Sequence, residues 1–326
     1  MFVLGLMGSP RRQGNTDLLL AAFLDGAQAK GAEVLKVDVA FEHIASCQEC
    51  RFCEEQGFCR QQDDAMREMN YLLRRADVVV LATPIFFYGP SAQLKALIDR
   101  SQALWARRHI MKLTDPKAAF RRGFLLAVGA TKGKELFTGT SLIARYFFDA
   151  VGARYEGFLG FRQMEEPGAI TRHPTALADA GKKGAELIGD LSARRRALFL
   201  CRENAGRSQM AEAFLQHYAG DKFDAQSVGD QPAPEINPLA IEAMAEQGID
   251  LAFRRPRGMD QIADGGRSFD LVVQMGCEQS CPLTLAERVE NWELEDPAGK
   301  PLEFMRTIRD EIERRVKALI AAEAGH

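Results

Sequence analysis

The sequence predicts an α/β protein of two domains, each a parallel sheet with helices wound over it. Three observations lead there. Short aliphatic runs alternate with segments of helical period, as strand–helix–strand crossovers require. The chain has 326 residues, more than a single hydrophobic core commonly organises. The alternation also restarts near residue 195, after the basic run Arg194-Arg195-Arg196.

Strand-like runs occupy 2–7, 33–39, 78–83, 123–129 and 154–160, and helix-period segments fill 16–30, 64–75, 91–105, 140–151 and 175–191. Five strands in this alternation suit a flavodoxin-like doubly wound sheet over residues 1–192. A second domain, 195–326, opens on the strand 197–200 and the helix 207–219. It continues with strands at 223–228 and 269–275 and helices at 238–247 and 302–322. The connection, roughly 189–196, is short, and its three arginines read as a solvated linker face.

Composition narrows the function. Residues 1–194 carry 26 basic and 22 acidic residues, and 195–326 carry 16 and 23, so the halves stand at +4 and −7. Neither is basic enough for a nucleic-acid partner. No run reaches the roughly 18–20 apolar residues of a membrane span, and Met1 leads directly into a strand without a signal peptide. The expectation is a cytoplasmic protein with no membrane partner. Its seven cysteines then read as metal ligands or catalytic thiols, not structural disulfides. The five histidines lack metal spacing, and Trp105 and Trp292 read as packing residues.

Gly8-Ser9-Pro10-Arg11-Arg12-Gln13-Gly14-Asn15-Thr16 follows the first strand and opens the first helix. Small and hydroxyl residues there let backbone N–H groups face an anion, and Arg11 or Arg12 can grip two of its oxygens. A plain turn capped by Asn15 or Thr16 is the other reading. Thr83-Pro84-Ile85-Phe86-Phe87-Tyr88-Gly89 ends the third strand, where an aromatic loop can lie against a flat heterocycle, or where Phe86 and Phe87 can serve a core or dimer interface. Together the two segments resemble the NADPH-dependent FMN reductase and iron–sulfur flavoprotein superfamily over about residues 1–190. The resemblance implies FMN and NAD(P)H as cofactors. It implies that Ser9, Arg11, Asn15 and Thr16 hold the FMN phosphate and that Pro84, Ile85, Phe86, Phe87 and Tyr88 line the flavin. Gly129, at the end of the fourth strand, would close the ring's other side, and related domains form homo-oligomers through this unit.

Cys47-x2-Cys50-x2-Cys53-x5-Cys59 lies between the second strand and the next helix. A winding loop can turn four thiols toward one centre, which suits an Fe–S cluster, a zinc ion, or redox-active thiols without metal. The spacing is similar to that of the iron–sulfur flavoproteins, which implies a [4Fe-4S] cluster.

Cys201-x5-Arg207-Ser208 follows a strand and opens a helix. Backbone N–H groups and the helix N-terminus there favour a tetrahedral anion beside a reactive sulfur, with Arg207 gripping two oxygens. Ser208 can donate to the sulfur and Asn204 can brace the loop. The match runs from Leu198 to Phe214 and resembles the low-molecular-weight tyrosine phosphatase fold, in particular its arsenate reductase branch. In Glu295-Asp296-Pro297-Ala298-Gly299, Asp296 is placed as a general acid, while Ala298 and Gly299 cannot grip a phenyl ring. A phosphatase has no use for Cys277 and Cys281; an arsenate reductase uses such thiols as a relay. The resemblance therefore implies a site that binds arsenate, or a phosphate-like oxyanion, and reduction of arsenate to arsenite. Cys201 forms the adduct, Cys277 displaces it, and Cys281 resolves the disulfide, re-reduced by the flavin domain, by thioredoxin or by a low-molecular-weight thiol. A tyrosine phosphatase fused to an independent quinone or organoarsenical oxidoreductase is the competing expectation.

Overall fold

The computed structural model describes residues 1–262, 268–276 and 286–323. Two compact units divide the chain: Met1–Lys112 with Phe120–Ser192, and Leu113–Ala119 with Ala193–His326.

The first unit is a five-stranded, wholly parallel sheet in the order β2-β1-β3-β4-β5. Its strands are β1 (Phe2–Met7), β2 (Glu33–Val37), β3 (Val78–Pro84), β4 (Arg122–Val128) and β5 (Arg154–Phe161). The inner strands β1, β3 and β4 are continuous apolar runs because helices cover both faces. Edge strands β2 and β5 carry half-buried and exposed positions. Helices α1 (Asn15–Gln28) and α7 (Ala176–Ser192) bury Leu19, Leu20, Phe23, Leu187 and Ile188 against Val3, Val80, Phe124 and Leu126. Chain order reverses between β1 and β3, and in open α/β sheets a ligand site forms at such a point.

The remaining helices here are α2 (Phe52–Gln56), α3 (Met66–Arg75), α4 (Ala92–Arg100), α5 (Gln102–His109) and α6 (Thr138–Ala150). The single helix expected over 91–105 is two. At Ser101 the hydroxyl donates back to the Leu97 carbonyl at 3.0 Å, and the axis breaks there. The short α2, inside the cysteine loop, carries no periodicity long enough to be read from sequence.

The second unit is also wholly parallel, in the order β7-β6-β8-β9: β6 (Arg195–Cys201), β7 (Phe223–Gly229), β8 (Phe269–Gln274) and β9 (Ala286–Asn291). Its helices are α8 (Arg207–Ala219), α9 (Pro238–Ala245) and α10 (Leu302–Glu323). Phe199, Met210, Phe214, Val273, Trp292, Met305 and Ile312 share one core. Strand β9, Ala-Glu-Arg-Val-Glu-Asn, escapes sequence reading because charges occupy an edge strand that must not pair further. Thr114 adds a parallel bridge to Ile249, its N–H donating to the Gly248 carbonyl at 2.7 Å.

The three-arginine run is not a solvated face. Arg194 and Arg196 are buried, Arg194 donating to the Gly220 carbonyl and Arg196 stacking 4.2 Å from the Phe269 ring; Arg195 alone is exposed. Burying an Arg stem while its head finds carbonyls and ring faces is compatible with its chemistry. Among the described residues, no helix is long and apolar enough to cross a membrane.

Candidate functional sites

In the second unit, Cys201 ends β6 and α8 starts at Arg207, so residues 202–206 arch over the thiol. The carbonyls of Arg202, Glu203 and Ala205 accept from the amides of Gln231, Ala233 and Asn237, each at 2.9 Å. With those carbonyls held outward, the loop's own amides face the opposite way. Asn204 N–H accordingly donates to Cys201 Sγ at 3.2 Å. The loop presses so closely on Gly229 that a Cβ there would lie 2.7 Å from the Arg202 carbonyl oxygen.

Asn204 sits in the left-handed region, φ 51°, where Asn is tolerated. Its side chain is fully bonded: Nδ2 donates to Ser208 Oγ at 2.8 Å and Ser227 Oγ at 2.9 Å, while Oδ1 accepts from Gln209 Nε2 and the Arg257 amide. Because Ser208 Oγ accepts from Asn204, its own proton is available to Cys201 Sγ, 3.0 Å away. Ser227 in turn donates to the carboxylate of Glu212. Arg207 Nη1 donates to the Leu294 carbonyl at 3.1 Å, and its Nη2 lies 3.3 Å from Asp296 Oδ2. Cys201, Gly206, Arg207, Asp296, Pro297 and Ala298 line one small pocket over the loop. Cys201, Asn204, Arg207, Ser208 and Asp296 thus converge. Cys277 and Cys281 lie outside the described residues; Gly276, which precedes Cys277 in sequence, would place a Cβ 3.2 Å from Arg207 Nη1.

Sequence reading missed Ser227, Gln209, Glu212, Arg254 and Arg257. Burial works to raise the Glu212 carboxyl, but the guanidinium groups of Arg254 and Arg257 and the Ser227 hydroxyl outweigh it and hold it below the ordinary range. Only the (i, i+4) relation of Glu212 to Ser208, on one helix face, hinted at this. Replacing Glu212 with Gln leaves two largely buried arginines without their counter-charge, a loss of about 3–5 kcal/mol. Urea unfolding followed at Trp292 in a Trp105→Phe background measures it. Because the folded carboxyl titrates below 4.5, its ordinary value, this stabilisation is complete above that pH and fades as pH falls through the folded value. Wild type and variant should therefore converge in acid.

In the first unit, the ends of β1, β3 and β4 meet. Gly8 N–H donates to the Ala82 carbonyl at 2.7 Å, Ser91 Oγ to the Gly8 carbonyl, and Ile85 N–H to the Val128 carbonyl at 2.9 Å. Gly14 caps α1 without any side-chain bond, so neither Asn15 nor Thr16 serves as the cap and no cap side chain takes up the first-turn amides. Ser9 Oγ accepts the Arg11 amide at 3.1 Å; Arg11 is exposed and Thr16 buried. Asn15 spends its amide on the Met164 and Glu166 carbonyls and the Ile170 N–H, tying α1 to the segment after β5. Phe86 and Gly89 exchange backbone bonds across a two-residue turn whose central residues, Phe87 and Tyr88, both have positive φ, 49° and 63°. Two aromatic residues there carry strain that a glycine would avoid. Phe86, Phe87 and Tyr88 are exposed, so they do not fill the protomer's core, while Pro84 and Ile85 are half-buried. Gly129 bonds the Phe161 carbonyl beside them. Uncapped amides, an unpaired arginine among the described residues and an exposed aromatic loop at one sheet switch point fit a flavin mononucleotide.

Cys47, Cys50, Cys53 and Cys59 line one pocket of about 920 Å³ with Arg100, Trp105 and Tyr146. All four are free thiols. Burial pushes the Cys53 thiol up, and Cys59, Cys47 and Cys50 push it further. Among the described residues, no group of three or more His, Cys, Asp or Glu is placed to hold a metal ion. The donor set nonetheless suits a thiolate-bound centre of net negative charge: four sulfurs line one pocket with a buried Arg100 whose Nε has no hydrogen-bond partner.

Comparison with known proteins divides the chain at the same place as its strand pattern. A family model described as NADPH-dependent FMN reductase matches residues 1–140, and one described as low molecular weight phosphotyrosine protein phosphatase matches 196–324. An arsenate reductase of Bacillus cereus is 42% identical over 123 residues, 36% of this chain and 89% of that protein. The glutaredoxin arsenate reductase of Synechocystis is 34% identical over 130 residues, 39% of this chain and 97% of that protein. An iron–sulfur flavoprotein of Methanocaldococcus jannaschii is 39% identical over 104 residues, 32% of this chain; the match spans about half of that relative, 53%.

Proposed function

The chain belongs to the arsenate reductases of the low-molecular-weight phosphotyrosine phosphatase family, preceded by a domain matching the NADPH-dependent FMN reductases, and on that premise we propose a self-contained, NAD(P)H-driven arsenate reductase. The observation that carries the reading is the small pocket over Cys201, walled by Arg207, Asp296 and Ala298. A tyrosine phosphatase needs space for a phenyl ring beside that loop, and Ala298 supplies no aromatic grip.

In this reading the inward amides and Arg207 hold the oxyanion. Cys201 Sγ attacks arsenic, and an oxygen leaves as water with a proton from Asp296. Cys277 then attacks Cys201 Sγ. The S–S bond forms, the S–As bond breaks, and its electron pair stays on arsenic, which leaves as arsenite. Cys281 displaces Cys201 from Cys277, so the oxidised product is a Cys277–Cys281 disulfide that needs two electrons.

Those electrons come, in our proposal, from the N-terminal domain. Ser9, Arg11, Thr16 and the first-turn amides of α1 would hold the phosphate of FMN, with Asn15 bracing them; residues 84–88 and Gly129 would flank the ring, and Cys47, Cys50, Cys53 and Cys59 would hold a [4Fe-4S] cluster. A bound flavin supplies two-electron exchange with NAD(P)H. The covalent link supports the pairing, since tethering raises the effective concentration of one domain near the other to about the millimolar range. Protein purified with FMN and given only NADPH and arsenate should yield arsenite stoichiometric with NADPH consumed. Arsenite that forms only on addition of thioredoxin or glutathione would assign the reductant to an outside thiol.

A further inference from the structure

We propose that Arg100, which no role above uses, is the positioning residue of the four-cysteine centre, clasping the neck of its loop and placing a fixed positive charge against its sulfurs. The inference rests on the cluster reading of that loop. Arg100 closes α4 and is 1% exposed. Its Nη1 donates to the Ala45 carbonyl at 2.8 Å and its Nη2 to the Gln61 carbonyl at 3.0 Å. Ala45 stands two residues before Cys47 and Gln61 two residues after Cys59, so one guanidinium joins both ends of the cysteine segment. Asp64 completes the clasp, accepting from both Nη atoms and from the Ala45 amide at 3.2 Å.

That accounts for the Nη edge of the guanidinium. Nε remains, buried and without a hydrogen-bond partner, in a group that lines the same pocket as all four thiols. A clasp alone would leave this N–H orphaned, which proteins avoid. Sulfur is the acceptor chemistry that the loop brings to it, since Cys47, Cys50, Cys53 and Cys59 line that pocket. Hydrogen bonds to cluster sulfurs and a nearby positive charge stabilise the more negative, reduced form and so raise the reduction potential. The ion pair with Asp64 opposes part of that charge, which makes the two residues a couple with opposite effects.

The test uses full-length protein purified anaerobically, with iron and FMN counted per chain and the midpoint read by EPR during a dithionite titration. Arg100→Met should keep iron, and its reduced-to-oxidised ratio at a fixed potential should fall about tenfold, a 59 mV drop for a one-electron couple. Arg100→Lys, which keeps the charge and loses the clasp, should stay near wild type in midpoint while losing iron faster to a chelator. Asp64→Asn should move the midpoint upward. An iron-loaded Arg100→Met with an unchanged midpoint overturns the charge role and leaves Arg100 a structural clasp. If that variant loses its iron, Asp64→Asn decides, and an unmoved or lowered midpoint overturns the proposal. Wild-type protein that carries FMN but no iron would sink the cluster reading, and this inference with it.

Discussion

Serine in place of Cys201 should reduce arsenite formation by about 10⁴-fold or more, to the background of free thiols in solution. The thiol is 2% exposed beneath an arch of inward-facing amides, with Ser208 Oγ at 3.0 Å and Asn204 N–H at 3.2 Å. A hydroxyl there is both a far weaker nucleophile at neutral pH and unable to pass into a disulfide, so the adduct and the release step fail together. The amides and Arg207 are untouched, so the variant should still bind phosphate in calorimetry. FMN content and NADPH oxidation by an artificial acceptor should also hold at wild-type levels, since the flavin loops belong to the other unit. A Cys201→Ser protein retaining more than about one part in a hundred of the activity would move the chemistry to another thiol.

The first parallel sheet, and β6, β7 and β8 of the second, were legible because strand and helix periods alternate cleanly, and because the buried strands read as unbroken aliphatic runs; the charged edge strand β9 was not. The two strand-to-helix loops expected to hold anions were legible as junctions for a local reason: each places Gly, Ser, Asn and Arg between a strand and a helix, and that geometry is written in consecutive residues. What supports the loops was not. The amides of Gln231, Ala233 and Asn237 that hold the Cys201 arch outward belong to a segment with no pattern of its own. Glu212, Arg254 and Arg257 are ordinary charged residues until the fold buries them side by side. Arg194 and Arg196 misled the reading for the reverse reason: three consecutive arginines look solvated, but Arg194, just before β6, and Arg196, within it, found carbonyls and a ring. Arg100 follows the same logic. Its significance depends on Ala45 and Gln61, residues 55 and 39 positions away.

The second large effect divides oxyanion binding from proton transfer. Arg207 is held on both sides, by the Leu294 carbonyl at 3.1 Å and by Asp296 at 3.3 Å, with its side chain 7% exposed. Arg207→Lys keeps the charge but loses the planar fork that grips two oxygens, and phosphate affinity and kcat/KM for arsenate should each fall about 10²–10³-fold. In the proposed mechanism Asp296 plays two parts that pull apart. Its carboxylate pairs with the same guanidinium that must hold the anion, so it competes with an incoming oxyanion; once protonated, it breaks that pair and has a proton for the departing oxygen. Asp296→Asn should therefore bind phosphate more tightly than wild type, because Arg207 loses its competing partner and one negative charge leaves the pocket. The same variant should reduce arsenate about 10²–10⁴-fold more slowly in single turnover, because no acid remains for the leaving group. Tight binding with slow turnover separates the acid role from a structural one: if Asp296 merely oriented Arg207, affinity and rate would fall together, as they should for Arg207→Lys. Calorimetric titration with phosphate and quenched-flow measurement of arsenite on the same preparations decide between the two.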